Sequence, residues 1–188
     1  VGNAAQWIES LKVPSWDEYF MGMVFLAAMR SPDQETKQGC IIADWDTKIV
    51  LGTGYNGHPR NATPPAGMPP LPTKRPDKYP VMVHADCNAI VNCRGTSNNA
   101  VVYLSMPPCE VCFGLLANMP FVKVNRIVFL EPRGFPNTFN LSRYLPHIAL
   151  EQYAGPHPSE LLHRAAEYAT LRTDCSRELT SGSVNSYR

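Results

Sequence analysis

A chain of 188 residues is long enough for one domain with a substantial core. Its 44% hydrophobic share is ordinary for a globular protein, and a net charge of +1 supplies no broad basic field, so no polynucleotide partner is expected. No apolar run approaches the length of a membrane span and the first residues carry no charged-then-apolar leader, so no membrane association and a cytoplasmic location are expected.

Ser15-Trp16-Asp17-Glu18 is a capping box, and the apolar run Tyr19 to Met29 behind it predicts a first helix ending near Arg30. Ser31-Pro32-Asp33 breaks it. Cys40 to Asp44 and Ile49 to Tyr55 are β-rich runs around Trp45-Asp46-Thr47-Lys48, which predicts a hairpin closed by Gly54-Tyr55-Asn56-Gly57. Residues 58–80 carry eight prolines, and no regular element survives that spacing. An insert of this kind either covers a site or is a plain surface excursion. Further on, His84 to Cys93 predicts a helix, Ala100 to Ser105 a strand, Cys109 to Met119 a helix and Val124 to Glu131 a strand. The order β-β-α-β-α-β implies an α/β fold with a mixed sheet and helix-covered faces. Asn140 to Tyr153, interrupted by Pro146, and Ser159 to Arg172 are two more helical candidates. Residues 1–172 read as a single domain with the 58–80 insert, and 173–188 as a polar, mobile tail.

The six cysteines, Cys40, Cys87, Cys93, Cys109, Cys112 and Cys175, read as metal ligands plus free thiols in a reducing compartment rather than as a disulfide framework. His84-Ala85-Asp86 and Pro107-Pro108-Cys109-Glu110-Val111-Cys112 carry the chemistry. One imidazole and two thiols hold a catalytic zinc ion and leave a fourth tetrahedral position open. Both halves fall where a helix begins, so unpaired N–H groups favour thiolates there, and Pro108 suits the entrance to the second helix. Cys-x-x-Cys alone also serves redox and structural zinc sites. A structural site normally has a fourth protein ligand, and none stands out here. An acid two residues beyond the His completes the signature of zinc-dependent nucleobase deaminases, whose shuttle is ordinarily Glu. Here it is Asp86.

From about Trp16 to Glu131 the chain resembles the deoxycytidylate (dCMP) deaminases. Trp16-Asp17-Glu18-Tyr19-Phe20-Met21 looks like the opening helix of that family, Arg30-Ser31-Pro32-Asp33 like the loop after it, and Gly54-Tyr55-Asn56-Gly57 matches its Gly-Tyr-Asn-Gly signature. Lys78-Tyr79-Pro80 leading into His84-Ala85-Asp86-Cys87-Asn88-Ala89-Ile90 looks like a family segment with His-Ala-Glu-Leu-Asn-Ala-Ile, so Cys87 stands where that segment is apolar. The resemblance implies the cytidine deaminase-like fold, a three-layer α/β/α sandwich around a five-stranded mixed sheet, usually assembled as homohexamers. It implies zinc held by His84, Cys109 and Cys112, with Asp86 in the catalytic acid/base position. The reaction implied is hydrolysis of dCMP to dUMP and ammonia, supplying thymidylate synthesis, with dCTP and dTTP as effectors. Asn56 is the implied sugar contact, and Ser31, Thr36 and Lys37 lie in a loop resembling one that binds substrate. An ordinary solvated loop is the competing account of those three. Lys74, Arg75 and Lys78 read either as a further anion site or as a solvated charge cluster.

Asp is one methylene shorter than Glu, up to about 1.5 Å in reach, and a displacement of about 1 Å in a catalytic constellation costs on the order of a hundredfold in rate. A variant slowed at this position, an enzyme that restores the geometry by a backbone shift or a bridging water, and a nucleotide-binding pseudoenzyme all fit Asp86. Retention of three metal ligands favours a deaminase. Other cytosine nucleotides, dCTP or 5-modified dCMP, are alternative substrates. Deaminases of tRNA adenosine or of free bases are more distant rivals.

Overall fold

Side chains alternate along β1 (Gly39–Asp44) and β3 (Ser97–Leu104), and this period of two builds both faces of one sheet. Cys40, Ile42, Val102 and Leu104 point to one core, Ile41, Ala43, Val101 and Tyr103 to the other. All six β1 residues are buried, as befits a strand covered on both faces. The computed structural model describes residues 12–133 and 136–182, without the side chains of 136 and 171–182. The Cys175 thiol and residues 183–188 of the expected tail lie outside the described residues.

The sheet is five-stranded and mixed, in the order β2-β1-β3-β4-β5, adding β2 (Val50–Tyr55), β4 (Val122–Phe129) and β5 (Ala149–Gln152). β1 pairs antiparallel with β2 and β3, whereas β3–β4 and β4–β5 are parallel. One face is covered by Phe20, Met21, Val24 and Ala27 of α1 (Trp16–Ala28). The other is covered by Ala85 and Ala89 of α2 (Ala85–Asn92) and by Phe113 and Leu116 of α3 (Glu110–Ala117). The sandwich of the cytidine deaminase-like fold is therefore present.

The start of α1 has the capping box read from the sequence. Ser15 N–H donates to the Glu18 carboxylate at 2.7 Å, and Glu18 N–H donates to the Ser15 hydroxyl at 3.2 Å.

The span 140–153 corrects a sequence expectation: it is not a helix. A short helix α4 (Pro136–Ser142) ends ahead of Pro146, and β5 then extends the sheet along the free edge of β4, with Ile127 opposite Leu150. Pro146 disfavours continuation of the helix, and Leu150 gains core contact by pairing at that edge. The helix expected at 159–172 is α5 (Pro158–Gly182), which continues past residue 172.

The chain divides into two compact units. Phe20 to Ala154 contain the sheet. The second unit joins the residues before Phe20 to those after Ala154. There the Arg164 guanidinium donates to the Lys12 carbonyl, and His163 and Glu167 face each other at 3.1 Å. Among the described residues no helix is long and apolar enough to cross a membrane.

Candidate active site and metal centre

Close backbone packing brings the two halves of the site together. A Cβ on Gly54 would lie 2.0 Å from the Ala85 carbonyl oxygen and 2.4 Å from the Ala89 nitrogen. Only glycine lets α2 rest this closely on β2. Gly57 and Val83 then form an antiparallel bridge (Val83 N–H to Gly57 oxygen 2.7 Å), which fixes the chain just before His84. The Asn88 amide clamps the helix by donating to the Tyr55 carbonyl at 2.8 Å. His84 is the N-cap of α2. Cys109 is the N-cap of α3, a short loop beyond β3, and that loop is held by the buried Thr138 hydroxyl, which donates to the Pro108 carbonyl at 2.7 Å.

His84 Nδ1 lies 3.5 Å from Sγ of Cys109 and 3.5 Å from Sγ of Cys112. A tetrahedral zinc ion with bonds of about 2.3 Å to sulfur and about 2.0 Å to nitrogen would set these atoms about 3.5 Å apart. The donor set and its spacing therefore fit zinc, and the three atoms form a group able to hold a metal ion. Two helix N-termini bear on the group and favour anionic sulfur. Cys109 is held well below the ordinary thiol range, first by the hydrogen bond from Cys112 and then by that to His84, against the opposing effect of burial. Cys112 is pushed up because its proton serves Cys109 and because it is buried. His84 is raised, chiefly by its hydrogen bond with Cys109.

Asp86 is only 4% exposed and lies in the first turn of α2. Its Oδ1 accepts a hydrogen bond from Cys87 N–H at 3.0 Å, and its carboxylate lies within 4.8 Å of the Cys112 sulfur. Burial raises its pKa above the ordinary carboxylate range. A carboxyl group so raised exchanges protons nearer neutrality, as a general acid/base must.

A cavity of about 170 Å³ opens beside these groups and is lined by His84, Asp86, Cys109, Asn56 and Thr36, among others. Arg75, Lys78 and Tyr79 from the end of the Pro-rich insert, with Met82 just beyond it, form part of its wall. Asn56 is nearly saturated. Its amide donates to Asp33 Oδ2 and to the Thr36 carbonyl, both at 3.0 Å, and its carbonyl accepts from Gln38 N–H at 2.7 Å. One lone pair of that carbonyl remains for a ligand.

Ser31 and Lys37 lie outside the cavity lining. The Ser31 hydroxyl donates to the Asn56 backbone carbonyl at 2.7 Å and accepts from Asp33 N–H, while the Lys37 ammonium reaches the Ser31 backbone carbonyl. Thr36 lines the cavity, and its hydroxyl accepts from the Arg75 guanidinium at 2.8 Å. Lys78 is not part of a solvated charge cluster. It is 3% exposed and donates to both oxygens of Asp33 at 2.8 Å, with Glu35 at 3.2 Å. Burial pushes the Asp33 carboxyl up, but the Lys78 ammonium and two backbone N–H groups outweigh it and hold Asp33 below its ordinary value. Sequence reasoning missed Gln38, Met106 and Thr138. The Gln38 amide, beside the cavity, donates to the Met106 sulfur at 3.1 Å. No spacing motif marks any of the three.

An imidazole and two thiols set for one metal ion, with a buried carboxylate beside them and an α/β/α sandwich around them, are the hallmarks of the zinc-dependent nucleobase deaminases. Comparison with known proteins narrows this class. The profile of the cytidine and deoxycytidylate deaminase zinc-binding region matches residues 14–131, and the chain belongs to that family. Human deoxycytidylate deaminase is 33% identical over 125 residues, 63% of this chain and 66% of that protein. The deoxycytidylate deaminase of Mycobacterium phage D29 is 35% identical over 117 residues, 55% of this chain and 88% of its own. The match thus spans just under two thirds of the human protein. Among solved structures, the dCMP deaminase of cyanophage S-TIM5 in complex with dCMP and dUMP shares the fold. Its TM-score is 0.62 at 18% identity, over 76% of this chain and 100% of that one.

Proposed function

We propose that this protein is a zinc-dependent hydrolase that converts dCMP and water to dUMP and ammonia. The observation that carries the reading is the trio His84, Cys109 and Cys112, with both sulfurs 3.5 Å from the imidazole, of which His84 and Cys109 open on the same cavity as Asp86 and Asn56. The relatives named deoxycytidylate deaminase support the choice of substrate. His84, Cys109 and Cys112 hold the metal. When bound, zinc supplies a Lewis acid that brings the pKa of a water molecule to about 7. Asp86 takes the proton of the water that attacks C4, delivers it to ring N3, and afterwards helps protonate the departing amine. Its buried position and raised pKa suit both halves of that transfer.

Asn56 offers its remaining lone pair to a sugar hydroxyl. Of the loop residues expected to meet the phosphate, Thr36 lines the cavity, and Arg75 joins it from the Pro-rich insert. Lys78 acts indirectly: through Asp33 it braces the Asn56 amide. Assembly as a homohexamer, control by dCTP and dTTP, a cytoplasmic setting and a supply of dUMP for thymidylate synthesis belong to the same reading by family resemblance. The exposed Val111 and Leu115, one turn apart on α3, suit burial in such an assembly.

The test is ammonia release by zinc-loaded protein from dCMP, dCTP, 5-hydroxymethyl-dCMP and deoxycytidine side by side. Preference for dCMP is expected. Turnover of dCTP or the 5-modified nucleotide with dCMP untouched would overturn the substrate assignment.

A further inference from the structure

Cys87 follows the buried carboxylate directly, and the reaction outlined above gives it no part. Its Sγ lies 3.4 Å from Sγ of Cys112, and its own N–H donates to Asp86 Oδ1 at 3.0 Å. One residue therefore touches both a metal ligand and the acid/base carboxylate. The Cys87 sulfur lies within 4.8 Å of Cys112 and Asp86 but does not join the group that Cys112 forms with His84 and Cys109. It is placed beside the metal ligands rather than among them.

A cysteine that holds zinc is a thiolate and has no proton to give, whereas a free thiol has one. The direction of the sulfur–sulfur hydrogen bond follows once metal is bound. We propose that Cys87 is a positioning residue of the metal centre, its thiol donating to the Cys112 sulfur and thereby fixing that ligand's orientation and drawing off part of its charge. This inference rests on the reading of His84, Cys109 and Cys112 as the zinc ligands. Partners of this kind set the direction and basicity of a ligand, and their loss costs about ten- to a hundredfold in metal affinity.

The experiment compares the protein with Cys87→Ala and Cys87→Ser under reducing conditions. Zinc affinity is measured by competition with a chromophoric chelator, and the sulfur-to-metal charge-transfer band is recorded on the cobalt-loaded protein. Cys87→Ala is expected to bind zinc about ten- to a hundredfold more weakly, with the cobalt band at lower energy because the thiolate is more electron-rich. Cys87→Ser keeps a donor and is expected to stay within a few-fold of the parent protein, with its band in place. Three results overturn the proposal: an unchanged Ala variant, Ala and Ser variants weakened alike, or band intensity in both variants reduced as for one thiolate fewer. That last result would make Cys87 a ligand. A parent protein with no sulfur-to-cobalt band at all would instead bring down the metal-site reading itself.

Discussion

Replacing Lys78 by Met tests whether the Pro-rich insert is a structural wall of the site. The ammonium is buried, 4% exposed against 2% for the Asp33 side chain, at 2.8 Å. Met keeps much of the volume and removes the charge, so Asp33 is left as an uncompensated buried carboxylate. Breaking a buried pair in this way costs about 3–5 kcal/mol. Asp33 retains the Asn56 amide and the N–H groups of Glu35 and Thr36 as donors, which places the expected cost near the lower limit, about 3 kcal/mol. For a chain of this size that lowers Tm by about 6–12 °C. Thermal unfolding followed by circular dichroism reads it directly. Because Asp33 is held below its ordinary value, it contributes stability above the pKa of an unfolded carboxylate and loses it as pH falls through the depressed folded value. In the variant, protonation of Asp33 relieves the buried charge, so the gap to the parent protein should narrow on acidification. Asp33→Asn added to Lys78→Met should recover much of the loss. A single Lys78→Met variant melting within about 1 °C of the parent at neutral pH would refute the reasoning.

Three further outcomes are expected. Gly54→Ala puts a Cβ 2.0 Å from the Ala85 oxygen, so α2 must move; a loss of about 1–3 kcal/mol in urea unfolding and weaker zinc retention are expected together, and neither changing would contradict the packing argument. Asp44 is lowered to about 2, first by the Ser97 hydroxyl and then by Thr47, so its contribution is fully present above the unfolded carboxylate pKa and is lost as pH falls from there to about 2. Asp44→Asn should therefore be less stable than the parent at neutral pH, with the difference fading across the acid range; a pH-independent difference would count against it. Asp86→Glu restores about 1.5 Å of reach and should raise kcat for dCMP by on the order of a hundredfold, with KM little changed. A slower Glu variant would show that the backbone here is already fitted to Asp.

The candidate metal-binding group was readable in the sequence because the chemistry itself dictates residue types at helix starts, and His84 and Cys109 are both N-caps. The capping box at Ser15 and the alternation in β1 and β3 were legible for equally local reasons. β5 was not: three of its four residues are exposed, so it has no core-facing alternation, and only the open edge of β4 makes it a strand. Lys78 was read as an anion site or a solvated charge, not as half of a buried pair, because its partner Asp33 is 45 residues away and only tertiary structure brings the two together. Asn56 was legible as a candidate through its motif, and it lines the cavity. Its bracing of the Asp33–Gln38 loop depends on backbone groups that carry no sequence mark. The approach of Cys87 to Cys112 is hidden in the same way, since it arises between two helices.

The central claim is that water replaces the amino group at C4 of a cytosine nucleotide in the cavity shared by His84, Asp86 and Cys109. Incubation of the zinc-loaded protein with dCMP in oxygen-18 water, followed by mass spectrometry of the nucleotide, tests it most directly. The predicted result is dUMP carrying one heavy oxygen on the base, formed with an equal amount of ammonia and abolished by Cys109→Ser. Unlabelled, unchanged dCMP from both the zinc-replete parent and Asp86→Glu proteins would contradict the account.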